Sequence, residues 1–151
     1  MISVIHITLT SQAEADHTLT VSINNAQLKH ITMHADESQT HVIEYGIQYH
    51  QAQYKSLLFD WQGTECAKKF LHIRSIKLDD KPINMDKFMC VPNKTDYINS
   101  MDVKELQHKQ LNAGNNFGWY GQYKLNVLFG DRKEYKLKQH DPRVLLGMLH
   151  L

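Results

Sequence analysis

Apolar side chains recur at every second position along most of this chain, the spacing of strands with one face turned to a core. Ile5, Ile7 and Leu9 share one face of a first strand, and Leu19, Val21 and Ile23 one face of a second. Asn24-Asn25 follows, two residues that tolerate positive φ and so predict a tight hairpin turn. The returning strand carries Leu28, Ile31 and Met33, and its change of parity predicts a bulge. A polar loop over 35–40 leads to a strand with Val42 and Ile43, and residues 54–61 form another. Gln62-Gly63-Thr64-Glu65 reads as a turn into a long strand over 70–78, rich in β-branched residues. Asp79-Asp80-Lys81 turns that strand into Pro82-Ile83, and Phe88-Met89-Cys90-Val91 is a short apolar run closed by Pro92. Leu57, Leu71 and Ile73 sit in the most continuous apolar patterns and are expected at the centre of the core.

Between about 93 and 116 the alternation stops and the chain turns polar. Asp102 with Glu105 three residues on fits a capping box, so a short helix over 103–110 competes with an ordered loop. Tyr123, Leu125, Val127 and Phe129 then alternate as a last strand. Asp141-Pro142 reads as a helix start, and Val144, Leu145, Met148 and Leu149 recur at helical spacing behind it. This C-terminal stripe is expected to dock on the chain's own core or on a neighbouring subunit, the neighbour being preferred because a polar run holds it away from the last strand. About eight short strands with turn signals between them predict a mostly-β fold, an antiparallel jelly-roll-like β-sandwich with one or two short helices. Residues 1–151 read as one domain with a polar insertion near 93–116 and a C-terminal extension over 130–151.

Composition narrows the class further. At 151 residues, 42% hydrophobic and 22% charged, the chain is long and apolar enough to bury a core. Seventeen Lys and Arg oppose sixteen Asp and Glu, so no electrostatic drive toward nucleic acid or an anionic membrane is expected. Cys66 and Cys90 are too few for a disulfide framework and fit no CxxC motif, which predicts reduced thiols. The apolar N-terminus lacks a positive n-region and is interrupted at strand spacing by Ser3, His6 and Thr8. It therefore reads as a first strand, not a signal peptide. No stretch approaches the ~18 apolar residues of a membrane span.

Candidate chemistry is sparse. His30 and His34 have the i,i+4 spacing that would share one zinc ion on a helix. On a strand those positions stand about 13 Å apart, too far for one ion. Asp79 and Asp80 could offer calcium two carboxylates, but turn residues of this kind need no metal. No bound metal or cofactor is expected, and no nucleophile, phosphate-binding or dinucleotide motif is present. The most suggestive stretch runs from Asn112 to Gly121, with Asn115, Asn116, Phe117, Trp119 and Tyr120 among three glycines. Flexible backbone can present flat rings to a sugar, and Asn amides can bond hydroxyls. The same rings suit a protein interface, or simply plug one end of the sandwich. Trp61, ending its strand beside Asp60, has the same three uses.

Leu19 to Ile83 carries a family likeness: Val21-Ser22-Ile23, the turn Asn24-Asn25, Tyr54 to Asp60, then Phe70-Leu71-His72-Ile73-Arg74-Ser75-Ile76-Lys77-Leu78-Asp79-Asp80-Lys81-Pro82-Ile83. This order resembles the xylan-binding type of carbohydrate-binding module, a jelly-roll β-sandwich. Asn25 and Asp80-Lys81 stand where that family carries glycine in its hairpin turns, and the family's calcium-holding acids have no counterpart here. The resemblance implies the fold and not the ligand sites.

A sandwich of this size without a leader or catalytic residues also fits phage virion proteins. The first expectation is a non-enzymatic structural protein of a head decoration, neck, tail or baseplate, found in the virion or in host cytoplasm before assembly. Its partners would be other protein subunits, met through strand edges, the Phe117–Tyr120 loop and the stripe Val144, Leu145, Met148 and Leu149. The alternative is a carbohydrate-binding module that recognises a glycan through Trp61, Trp119 and Tyr120.

Overall fold

Alternating apolar faces close on one another as two antiparallel sheets. The computed structural model describes residues 1–93, 111–112, 114–133 and 135. In chain order the strands are β1 (Ile2–Ala13), β2 (His17–Ile23), β3 (Ala26–Met33), β4 (Gln39–Gln48), β5 (Gln53–Gly63) and β6 (Lys69–Leu78). They continue as β7 (Lys81–Pro82), β8 (Met89–Pro92), β9 (Leu111–Asn112), β10 (Asn116–Phe117) and β11 (Gly121–Phe129). One sheet runs β10-β6-β1-β4, with β7 paired to β6, and the other runs β3-β2-β5-β11-β8-β9. The core lies between them. Leu57, Leu71 and Ile73 are 0% exposed, and Tyr123, Leu125, Val127 and Phe129 are buried in series along β11.

Register explains where the alternation slips. Val21 pairs with Lys29 while Ser22 pairs with Gln27, so Leu28 is the extra residue of a bulge in β3, the one its parity predicted. A second bulge was not foreseen. Thr8 pairs with Ser75 and Leu9 with Ile73, leaving Arg74 unmatched in β6. The inward set therefore changes from Leu71 and Ile73 to Ile76 and Leu78. Without the extra residue, one half of β6 would turn its apolar side to water.

The two tightest hairpins use left-handed pairs that contain no glycine. Asn24 and Asn25 have φ of 46° and 69°, and Asp79 and Asp80 have φ of 50° and 65°. Both pairs are two-residue loops, between Ile23 and Ala26 and between Leu78 and Lys81. Asn and Asp enter this region at lower cost than other side-chain-bearing residues, and positive φ at both positions matches the twist of the flanking strands. Asp79 also clasps β1: its carboxylate accepts the Ser3 hydroxyl at 2.7 Å and the Val4 amide at 2.8 Å. These hydrogen bonds, the Ser3 one foremost, hold the carboxyl below the ordinary aspartate range, with Lys81 assisting and burial opposing.

Several boundaries differ from expectation. The presumed turn at Gln62-Gly63 is strand, because Gly63 pairs with His17. Asn116 and Phe117 are not free loop but β10, paired with His72 and Leu71. The stretch 103–110, read as a short helix or an ordered loop, and the helix expected after Asp141, with Val144, Leu145, Met148 and Leu149, lie outside the described residues.

Ile73→Ala is expected to cost about 2–5 kcal/mol in denaturant unfolding, the range for emptying a closed core site; a loss under about 1 kcal/mol would show that this face of β6 is not enclosed. Asp79→Asn keeps a residue suited to the left-handed turn but gives up the charge. A lowered carboxyl pKa stabilises the fold above the unfolded aspartate value, and that contribution is lost as pH falls through the folded value. The stability gap between wild type and variant should therefore be constant above about pH 5 and shrink on acidification below the ordinary aspartate range. Unfolding titrations across that range check it, and a gap that persists unchanged down to about pH 2 would contradict the clasp.

Candidate functional site

The aromatic residues singled out in the sequence divide between core and surface. Trp61 faces inward from β5 and is 0% exposed. His17 meets its ring edge-on at 6.1 Å and Tyr120 at 4.7 Å. Its indole N–H is buried and has no hydrogen-bond partner among the described residues, a penalty of about 1–3 kcal/mol that burial of the ring must offset. Phe117 stacks on Tyr123 with centroids 3.6 Å apart and meets Phe88 edge-on at 5.1 Å. Tyr120 is buried too, with the Lys69 ammonium 5.1 Å from its ring centroid. Gly63 makes room for it: a Cβ there would stand 2.6 Å from the Tyr120 hydroxyl. Trp61, Phe117 and Tyr120 therefore plug the sandwich and present no ring face to a ligand. The physical cause is pairing, since β10 beside β6 turns Phe117 inward with Leu71.

Trp119 remains accessible, 37% exposed, and its carbonyl accepts the Tyr123 hydroxyl. Asn115 is spent on structure: its amide donates to the Ile73 carbonyl at 3.0 Å while its own carbonyl accepts the Ile73 N–H at 2.9 Å. Asn116 lies on the surface, its Oδ1 2.6 Å from His72 Nδ1.

Sequence reasoning passed over a neighbouring surface. Phe70 opens β6 on the outward side, opposite Gln12 of β1, and is 40% exposed. It borders an open pocket of about 270 Å³ with Gln12, Glu14, Asp36, Lys68 and Lys69. Three segments build it. The Glu14 carboxylate accepts the Lys68 amide at 2.6 Å, and the Glu14 amide donates to the Lys68 carbonyl at 3.1 Å, tying the end of β1 to the start of β6. Asp36, at φ 61°, donates its amide to the Ala13 carbonyl at 2.7 Å and so brings the loop after β3 across the same end. Lys69 is engaged by Glu65 at 3.2 Å and by the Cys66 carbonyl at 2.8 Å. The Asp36 carboxylate and the Lys68 ammonium have no partner among the described residues. β10 ends opposite Leu71, one residue from Phe70, so the chain that leads to Trp119 departs at this same end. The available signal was Phe70 itself, a large apolar side chain at an outward position of β6.

Other candidates have structural duties. His30 lies 2.7 Å from Thr20 across the β2–β3 pair, and Asp79 belongs to its turn. Among the described residues no group of three or more His, Cys, Asp or Glu is placed to hold a metal ion. Among the described residues neither Cys66 nor Cys90 is in a disulfide, and Cys90 is buried. No helix among the described residues is long and apolar enough to cross a membrane.

No protein-family description matches the chain, and no curated protein matches it. Among solved structures its sandwich is similar to a carbohydrate-binding module, vCBM60, in complex with galactobiose: 8% identity and a TM-score of 0.47, covering 82% of this chain and 99% of that one. A selenomethionine form of vCBM60, described with circular permutation as an evolutionary link between two families of calcium-dependent carbohydrate-binding modules, gives 8% identity and a TM-score of 0.46, over 86% of this chain and 96% of that one.

Proposed function

We propose that this chain is a non-catalytic binding module, and that its ligand is a glycan held at the Phe70 end of the sandwich. The observation that carries the reading is the accessible Phe70 ring on a pocket whose rim offers a carboxylate, an ammonium and a side-chain amide. A sugar has an apolar C–H face and a ring of hydroxyls. The first packs on an aromatic plane, and the second bonds donors and acceptors such as Asp36, Lys68 and Gln12. Bonds from the Lys68 amide to the Glu14 carboxylate, from the Glu14 amide to the Lys68 carbonyl and from the Asp36 amide to the Ala13 carbonyl fix the backbone around the pocket before any ligand arrives, which lowers the entropy cost of binding.

The assembly reading has lost part of its basis. Two of the three rings of the Phe117–Tyr120 loop are core. No feature of the described residues points to a virion component. The alternative glycan reading survives with a different set of contacts: Trp119 and Asn116 stay, Trp61 and Tyr120 leave, and Phe70 with its neighbours enters.

A glycan array followed by calorimetry tests the proposal. Saturable binding is expected, and Phe70→Ala should weaken it by about tenfold, with a smaller loss for Trp119→Ala. Both side chains are accessible, so melting temperatures should change little. Absence of binding to any arrayed glycan, or binding indifferent to Phe70→Ala, would remove the site.

A further inference from the structure

Among the described residues, part of one flank of β11 is without a neighbouring strand. β5 pairs with it along its whole length, from Gly121 to Phe129. On the other flank β8 covers only Gly121 to Lys124. The next four residues, Leu125, Asn126, Val127 and Leu128, all line a groove of about 700 Å³. Leu125 and Val127 have their side chains shut in the core, so what they offer the groove is backbone. Successive residues of a strand point their N–H and C=O groups to opposite flanks, so alternate residues of this stretch face the groove. These groups have no strand partner among the described residues. An unpaired strand edge is a template for another strand, unless it is blunted by a proline, a bulge or an intruding charge. Residues 125–129 contain none of the three.

The groove walls state the chemistry of the occupant. Ile83 and Met89 give an apolar side, continued by the outward Leu128. Lys87 and Arg132 supply the charge, and among the described residues no carboxylate lines the groove. Neither cation has an ion-pair partner among the described residues. At the far end Tyr54 closes the floor, held edge-on by Tyr135 at 5.0 Å.

We propose that this groove takes an extended peptide segment of a partner protein as an added strand on β11, in line with β8, and that the segment alternates apolar and acidic residues. Backbone bonds to the free flank give it affinity, and alternate side chains are sorted between the apolar wall and the two cations. Charge complementarity sets the choice: an acidic segment meets Lys87 and Arg132 without opposition, whereas a basic one is repelled. The site lies on a different sheet from the Phe70 pocket and stands independently of the glycan reading.

The test uses the full chain and a fluorescent octapeptide of alternating valine and glutamate. Anisotropy should show saturable binding, and hydrogen exchange should show new protection confined to the groove-facing amides of residues 125–129. A valine–lysine peptide should bind at least about tenfold more weakly, and the double variant Lys87→Glu, Arg132→Glu should reverse that preference. Methylation of alternate amides of the valine–glutamate peptide should abolish binding from one register. Lack of binding overturns the proposal, and so does equal binding of the two peptides or of the methylated ones. Protection of these amides in the free chain, independent of concentration, would show that the chain covers its own edge. Protection that grows with protein concentration would show that a second copy does. Either result also overturns it.

Discussion

The long strands β1, β2, β5, β6 and β11 each have one face too apolar for water, and closing those faces against each other is the interaction on which the rest depends. Non-directional burial supplies the drive, and the pleat gives it direction, because only alternate side chains can point inward. A slip of one residue would turn a whole face out. Two bulges, at Leu28 and at Arg74, keep the inward set inward where the spacing drifts. The aspartate clasp at Asp79 then ties the β6–β7 turn to β1.

The same demand decides which side chains remain for function. A sandwich must be stopped at its ends as well as along its faces, and the largest side chains do this most economically. Trp61, Tyr120 and His17 close one region, while Phe59, Phe88, Phe117 and Tyr123 form an aromatic layer within. Their burial leaves an accessible rim on the outer side of β6. There Phe70 and Trp119 escape the core, because one is outward in its strand and the other follows a paired segment.

The two surfaces read as functional follow from the sandwich in different ways. The Phe70 pocket lies where three segments meet at the end of a sheet, their backbones tied to one another by hydrogen bonds. The β11 groove lies where a strand outruns its neighbour, so its recognition elements are the backbone and the cations Lys87 and Arg132. One suits a ligand with hydroxyls and a flat face, the other a ligand with a peptide backbone.

Local pattern along the chain was sufficient for the long strands of the two sheets, the hairpin at Asn24-Asn25, the bulge in β3 and the burial of Leu57, Leu71 and Ile73, because these depend on the period and chemistry of neighbouring residues. The bulge at Arg74 and the strand β10 depended on partners remote in sequence, and local pattern carries no record of a partner. The candidate site shows the same division. Trp61, Phe117 and Tyr120 have the composition of a binding surface, and sequence alone left their burial open, since an aromatic ring serves a core and an interface by the same contact. Tertiary structure decided between those uses by placing β10 beside β6 and Gly63 beneath Tyr120. It also gathered Gln12, Glu14, Asp36, Lys68 and Phe70, which span more than fifty residues of sequence, into one pocket. Strand period is a property of the chain, whereas a site between strands is a property of their register, and only the folded sheets set that register.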